Sequence, residues 1–395
     1  MGNRVARGGN VRTAEFGSAR QVKLYGRGAA AVPVQVEELE RRAYAAMSPT
    51  ARAYAASGAG GGATLRANLA AFDAWRIVPR LLRNVAERDL GVNLFGARLA
   101  APVVLGPVGV QSLIHPEGEL PAARAAGARS LPFVLSTLSS QSLEAVAAAS
   151  PACLRWYQLY WGRNPELTCS LLERAAGAGY SVVVVTLDTP MLGWRELDLD
   201  HGDLPFLRGE GLANFFTDPV FCSALPRPPL DDPRGAARAW SAVFSNPALT
   251  WKELGWLRRQ TRLPIVLKGI QHRDDARLAL DAGVDGLIVS NHGGRQVDGA
   301  VASLDALPDV LEATAGRVPV LFDSGIRRGA DAFKALALGA NAVLLGRLYL
   351  WGLALGGEAG VGEVLDNFCA DLDLTLALSG YRRPQELTRD ALTRR

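Results

Sequence analysis

One pattern recurs eight times between residues 102 and 345: a short, mostly apolar run, in most cases separated from the next by a stretch with helical spacing. The runs occupy 102–105, 133–135, 155–159, 181–186, 264–268, 286–289, 319–322 and 342–345. Helix-like segments lie at 116–126, 142–149, 165–178, 274–282, 304–313 and 329–338. A largely apolar strand must be covered on both faces, which is the condition of a parallel sheet wrapped by helices. Eight such units match a closed (β/α)8 TIM barrel better than an open doubly wound sheet. The rhythm breaks once. Residues 190–262, between the fourth and fifth runs, form a long insertion rich in Pro, Asp and Trp. Segments leaving the C-terminal end of a barrel strand lie over its active face, so this insertion is expected to be a lid.

Ahead of the barrel, residues 1–35 are rich in Gly and Arg, lack periodicity, and read as an N-terminal arm; residues 36–395 then read as a single barrel domain. Residues 36–48 have helical spacing. Ser48 and Pro49 suit the N-cap and first position of a second helix. Glycines at 58, 60, 61 and 62 interrupt it, and Thr64 is expected to open a further helix reaching Trp75.

Half the residues are hydrophobic (49%), so the chain can build a large core. Its net charge of +4 comes without a basic run interleaved with aromatics, which argues against nucleic acid and suits small anionic ligands. Cys153, Cys169, Cys222 and Cys369 are scattered, as in a reducing compartment without a disulfide framework. His115, His201 and His272 are isolated, so no metal site is expected. No apolar run approaches the ~18 residues of a membrane span, and no secretory leader is visible. A soluble, cytoplasmic protein is expected.

If the barrel closes, residues following its strands meet at one mouth. In order they are Gly106, Pro107, Val108 and Gly109; Ser136 and Thr137; Gln158 and Tyr160; Thr186, Asp188 and Arg195; Lys268; Ser290, His292, Gly293, Gly294 and Arg295; Asp323, Ser324, Gly325 and Arg327; and Gly346 with Arg347. Each alone has a plain structural reading. Lys268 could snorkel to solvent, Asp188 could cap a helix, and a lone histidine is more often structural than catalytic. Polar or glycine residues at all eight ends together point to a site. In "FDSGIRRGAD" and "LGRL", small residues admit backbone N–H groups to an anion, and Arg327 and Arg347 can fork onto phosphate oxygens. Neither a P-loop nor a GxGxxG motif follows the first strand. The polar set suits a flat heteroaromatic cofactor with a phosphate tail.

With "GPVGVQSLIHPEGE", "QLY", "VVTLDTPMLGWRE", "LKGI", "SNHGGRQ" and "FDSGIRRGAD" in this order, the chain resembles the FMN-dependent 2-hydroxy-acid oxidase and dehydrogenase family from about residue 36 to 388. "LPFLRGEGLANFFTDPVF", "YLWGLALGGEAG" and "GYRRPQEL", together with Gly109 where many members carry alanine near the flavin N5, are similar to its lactate 2-monooxygenase branch. The resemblance implies FMN as cofactor and a small L-2-hydroxy acid, with lactate favoured, and O2 as substrates. His292 would be the base, oriented by Asp188. Arg195, Arg295 and Tyr54 would bind the substrate carboxylate, and Tyr160 its hydroxyl. Lys268 would offset negative charge at N1 and C2=O of the flavin. Gln158, Thr186, Ser136, Ser290 and the Pro107, Val108 and Gly109 backbone would hold the ring. Asp323, Ser324, Gly325, Arg327, Gly346 and Arg347 would hold ribityl and phosphate.

Two positions and one segment depart from the family pattern: Leu348 stands where proline is usual, Ser57 where glycine is usual, and residues 198–211 match imperfectly. The resemblance also implies a homo-oligomer, tetramer or octamer. Coupled decarboxylation of lactate to acetate is the leading expectation. An oxidase releasing 2-oxo acid and H2O2, or a dehydrogenase with a non-oxygen acceptor, is the alternative.

Overall fold

The structure is a computed structural model and describes residues 16–26, 28 and 31–395. Strands β1 (Val103–Leu105), β2 (Phe133–Ser136), β3 (Arg155–Leu159), β4 (Val182–Thr186), β5 (Ile265–Ile270), β6 (Gly286–Val289), β7 (Val320–Phe322) and β8 (Ala342–Leu345) form a closed parallel barrel in chain order. Closure comes from β8 pairing with β1, Val343 beside Val103 and Leu345 beside Leu105. Alternate strand residues explain why the runs read as continuously apolar. Val104, Val134, Trp156, Val182, Val184, Val266, Ile288, Leu321 and Leu344 form one buried cluster, and their neighbours Val103, Leu105, Phe133, Leu135, Tyr157 and Leu287 join the helix-facing core.

The hairpin of strands Val92–Leu94 and Ala97–Leu99 closes the N-terminal end of the barrel. Phe95, at its turn, meets Trp156 edge-on with centroids 5.4 Å apart. A Cβ at Gly286, the first residue of β6, would lie 2.9 Å from the Phe95 ring, so only glycine fits there.

Helix starts follow capping chemistry. Ser142 Oγ accepts from Ala145 N, Asn164 Oδ1 from Leu167 N, and Ser48 Oγ from Ala51 N, the last with Pro49 at the first position as read from sequence. The helix expected over 116–126 begins only at Leu120, after a 3-10 turn at Gln111–Leu113. The helix after the glycine cluster starts at Ala63, not Thr64. The Thr64 amide donates to Asp298 Oδ1 (3.0 Å) from the loop after β6. That helix yields to a 3-10 turn at Ala71–Ala74, and Trp75 opens a strand, Trp75–Ile77, paired with the C-terminal Leu392–Arg394. A partner more than 300 positions away overrides the local helical preference.

One further departure has a tertiary cause. Within the arm, Phe16–Tyr25 is a helix. It is held by Gly17 N donating to Asp373 Oδ2 (3.0 Å) and by Arg20 bonding Asn367 and Glu363 of the last helix. Residues 1–15 of the arm lie outside the described residues. The insertion is largely helical, with Glu196–His201, Ala213–Phe216, Pro219–Ser223 and Pro233–Phe244. It has its own aromatic core, in which Trp240 lies 5.3 Å from Phe206 and 4.7 Å from Phe244 between centroids. Among the described residues, none of the four cysteines forms a disulfide. Among the described residues no helix is long and apolar enough to cross a membrane, and no His/Cys/Asp/Glu group is arranged to hold a metal.

Candidate active site

The C-terminal strand ends open into a cleft. Tyr54, Pro107, Val108, Gly109, Tyr160, Arg195, Lys268, His292, Arg295, Asp323, Ser324, Gly325, Arg327, Gly346 and Arg347 line it. The remaining residues expected at the site stand behind this wall. Asp188 and Ser290 contact lining side chains, Ser136 Oγ donates to Gln158 Oε1 (3.1 Å), and Thr186 lies beside Lys268 in register.

His292 follows β6 in a left-handed conformation (φ 59°), and Gly293 and Gly294 continue it with φ of 65° and 76°. This run swings the chain back over the mouth. Gly294 is obligatory, because a Cβ there would meet Leu65 N at 2.6 Å. The strained histidine is held by its amide donating to Ser290 Oγ (3.0 Å) and by the reciprocal Asn68–Asn291 amide pair (2.8 Å each way). Asp188 Oδ1 lies 2.7 Å from His292 Nδ1, and the Thr189 hydroxyl donates to the same carboxylate oxygen (3.0 Å). Burial opposes ionisation of Asp188, but the charges of His292 and Lys268 outweigh it and bring its pKa down to about 2. An ionised carboxylate on Nδ1 selects the tautomer with its lone pair on Nε2. Burial lowers the His292 pKa, with Asp188 acting in the opposite sense.

Lys268 Nζ donates to Ser290 Oγ (2.9 Å) and lies 3.4 Å from Asp323 Oδ2 and 3.8 Å from Asp188 Oδ2. Burial disfavours its charge, yet the two carboxylates raise its pKa, so it stays an ammonium.

The arginines differ, because their partners are mostly neutral oxygens. Arg195 donates to Arg295 O and Gln296 Oε1, with Asp198 no nearer than 3.9 Å. Arg295 donates to Tyr54 O, Ser57 O and Ser57 Oγ (2.9 Å), which gives the departure at Ser57 a role. Arg347 donates to the carbonyls of Ala55, Gly293 and Ser57. Burial, with the Arg295 charge beside them, pushes Arg195 down to about 10 and Arg347 to about 9. Buried cations with no carboxylate within hydrogen-bond reach are costly until an anion joins them. The other departure, Leu348, is buried in the last helix.

The donor set fits a phosphorylated flavin. Gln158 Nε2 and Thr186 Oγ1 are buried without a partner among the described residues, as groups awaiting a ring edge would be. The Gly106–Gly109 backbone lines one side. Arg327, its guanidinium 4.8 Å over the Trp351 ring, and Arg347 stand at the starts of the helices Gly329–Leu338 and Arg347–Leu378, where an anion is favoured.

Sequence reading missed part of the wall. Leu138, Thr189, Leu192, Phe206 and Phe244 also line the cleft, the last three from the insertion. Phe244 meets the Tyr160 ring at 5.2 Å and Phe206 meets Tyr54 at 6.5 Å. Nothing in the sequence separates these rings from ordinary core residues. Thr137, in contrast, is structural: its hydroxyl donates to Gln158 O (2.6 Å). His272 caps a helix by accepting from Asp274 N.

A parallel barrel gathering a His–Asp pair, a buried lysine and several buried arginines at one mouth defines a flavin-dependent oxidoreductase. Residues 43–394 match the FMN-dependent dehydrogenase family. An FMN-dependent alpha-hydroxy acid dehydrogenase of Penicillium citrinum is 46% identical over 387 residues, 96% of each chain. An L-lactate oxidase of Lysinibacillus sphaericus is 45% identical over 88% of this chain and 89% of its own, and human 2-hydroxyacid oxidase 1 is 42% identical over 87% and 92%. A solved structure of mandelate oxidase with (S)-4-hydroxymandelic acid superposes with a TM-score of 0.82 at 37% identity, covering 92% of this chain and 99% of that one. The chain belongs to the FMN-dependent dehydrogenase family, and FMN is its cofactor.

Proposed function

We propose that this enzyme oxidises a small L-2-hydroxy acid, lactate in size, with O2 as electron acceptor. The observation that carries this reading is the His292–Asp188 pair, its imidazole facing the same cleft as the guanidinium groups of Arg195 and Arg295. Bound FMN supplies the two-electron oxidant. Arg195, Arg295 and the Tyr54 hydroxyl hold the substrate carboxylate, which fixes the reacting carbon. The Tyr160 hydroxyl bonds the substrate hydroxyl. His292 Nε2 takes the proton, and Asp188 holds the ring and stabilises the imidazolium; a base so placed contributes about 10²–10⁴-fold. Lys268 keeps a positive charge beside the cofactor ring, a preorganised electrostatic contribution. Gln158, Thr186, Ser136, Ser290 and the Pro107–Gly109 backbone hold that ring. Asp323, Ser324, Gly325, Arg327, Gly346 and Arg347 hold its ribityl and phosphate. Leu192, Arg195, Phe206 and Phe244 of the insertion act as the lid that excludes water.

The finer reading is coupled turnover, in which lactate and O2 give acetate, CO2 and water. The insertion, whose Leu192, Phe206 and Phe244 line the cleft, supports it by slowing escape of the 2-oxo acid. Release of 2-oxo acid and H2O2 is the second reading, favoured by relatives named L-lactate oxidase and 2-hydroxyacid oxidase. The test begins with anaerobic mixing of the yellow holoenzyme with L-lactate, where bleaching is expected and its absence rejects the substrate class. Product analysis in air follows. Acetate and CO2 support coupling, stoichiometric pyruvate and peroxide reject it, and a bleached enzyme indifferent to O2 rejects both.

A further inference from the structure

The loops after β4 and β6 carry Asp188 with Arg195 and His292 with Arg295, and a single side chain ties them together. Gln296 Nε2 donates to Asp188 O (2.7 Å) and Met191 O (2.9 Å). Its Oε1 accepts from Arg195 Nη2 (3.0 Å) and Gly193 N (3.3 Å). Carbonyls face the amide nitrogen and donors face the amide oxygen, so the partners fix its orientation. The loops also press together directly: a Cβ at Gly193 would meet Arg295 O at 2.5 Å and Gln296 O at 2.7 Å.

We infer that Gln296 is a positioning residue that aims Arg195 at the substrate carboxylate without consuming its charge. Among the described residues, Gln296 is the side chain that accepts a hydrogen bond from Arg195; Asp198, at 3.9 Å, is beyond hydrogen-bond reach. A carboxylate in this position would orient the guanidinium equally well but would also pair with it and compete with the substrate. A carboxamide oxygen holds the geometry and leaves the positive charge for the ligand. The same amide, through Asp188 O, joins the base-orienting strand end to this clamp. The inference rests on the proposed oxidation of a 2-hydroxy acid.

The test compares holoenzymes of the parent, Gln296→Glu, Gln296→Met, Arg195→Met and the Gln296→Met/Arg195→Met double variant. Oxalate is titrated through its perturbation of the visible absorbance of bound FMN, and kcat and KM are measured with L-lactate. Gln296→Glu, nearly isosteric and therefore the safer variant for folding, is expected to raise the oxalate Kd and the lactate KM by about tenfold or more, with a smaller change in kcat. In the Arg195→Met background, Gln296→Met is expected to add less than about twofold, because its partner is already gone. Additive losses, or oxalate bound as tightly by Gln296→Glu as by the parent, overturn the inference alone. A parent that binds oxalate no better than it binds a neutral amide, and is not bleached by L-lactate, overturns the proposed function and this inference with it.

Discussion

Asp188 and His292 are separated by 104 positions in sequence, yet their side chains meet at 2.7 Å, Oδ1 to Nδ1. They reach each other because β4 and β6 flank β5 in the barrel, and both strands end at the same mouth. Removing either member has separable consequences. His292→Ala is expected to lower kcat for L-lactate by about 10²–10⁴-fold while retaining FMN. Anaerobic stopped-flow bleaching measures the loss, and the absorbance ratio of the purified protein measures the cofactor.

The same pair sets the pH dependence. His292 must be neutral to accept a proton, and burial lowers its pKa below the ordinary histidine value. The acid limb of kcat/KM for L-lactate is therefore expected below pH ~6.5, with activity lost as pH falls through the lowered pKa and a plateau through neutrality. Asp188 raises the His292 pKa, so Asp188→Asn is expected to move that limb further toward acid as well as lower the plateau. A pH profile of kcat/KM for both proteins checks the sign.

Gly109 has no room for a methyl group. A Cβ there would lie 2.7 Å from Leu138 O, and that oxygen is held by the Val110 amide at 2.9 Å. Gly109→Ala is expected to destabilise the enzyme by about 1–3 kcal/mol, the usual cost of overpacking. The urea midpoint of the holoenzyme gives the value.

Arg327 has a backbone carbonyl, Ile326 O, as its hydrogen-bond acceptor and lies over the Trp351 ring, so its charge is free for a phosphate. Arg327→Met is expected to weaken FMN binding by about tenfold or more and to leave riboflavin binding little changed. Parallel fluorescence titrations of the apoenzyme with the two flavins make the comparison.

Trp240 is the hub of the insertion, buried against Phe206, Phe215 and Phe244. Trp240→Ala is expected to cost about 3–5 kcal/mol. It is also expected to raise the lactate KM, since Phe206 and Phe244 line the cleft. Thermal melting and steady-state kinetics read the two effects separately.

All eight barrel strands were legible in the sequence because a strand buried on both faces must be apolar at consecutive positions, a local signature. His292, Lys268, Arg295 and Arg347 were legible for a related reason: each ends such a run or lies within six positions of its end, and in a parallel barrel all those ends share one face. Position along the chain therefore set both the architecture and much of the reactive mouth. The tertiary structure alone decided the strand at Trp75, the helix at Phe16–Tyr25, the aromatic wall of Phe206 and Phe244, and the bridging amide of Gln296. Each depends on a partner distant in sequence: Leu392–Arg394, Asp373, Tyr54 with Tyr160, and Arg195, respectively. Local periodicity records which faces a segment must bury, but not which distant group will meet them, so these features emerge only when the chain closes.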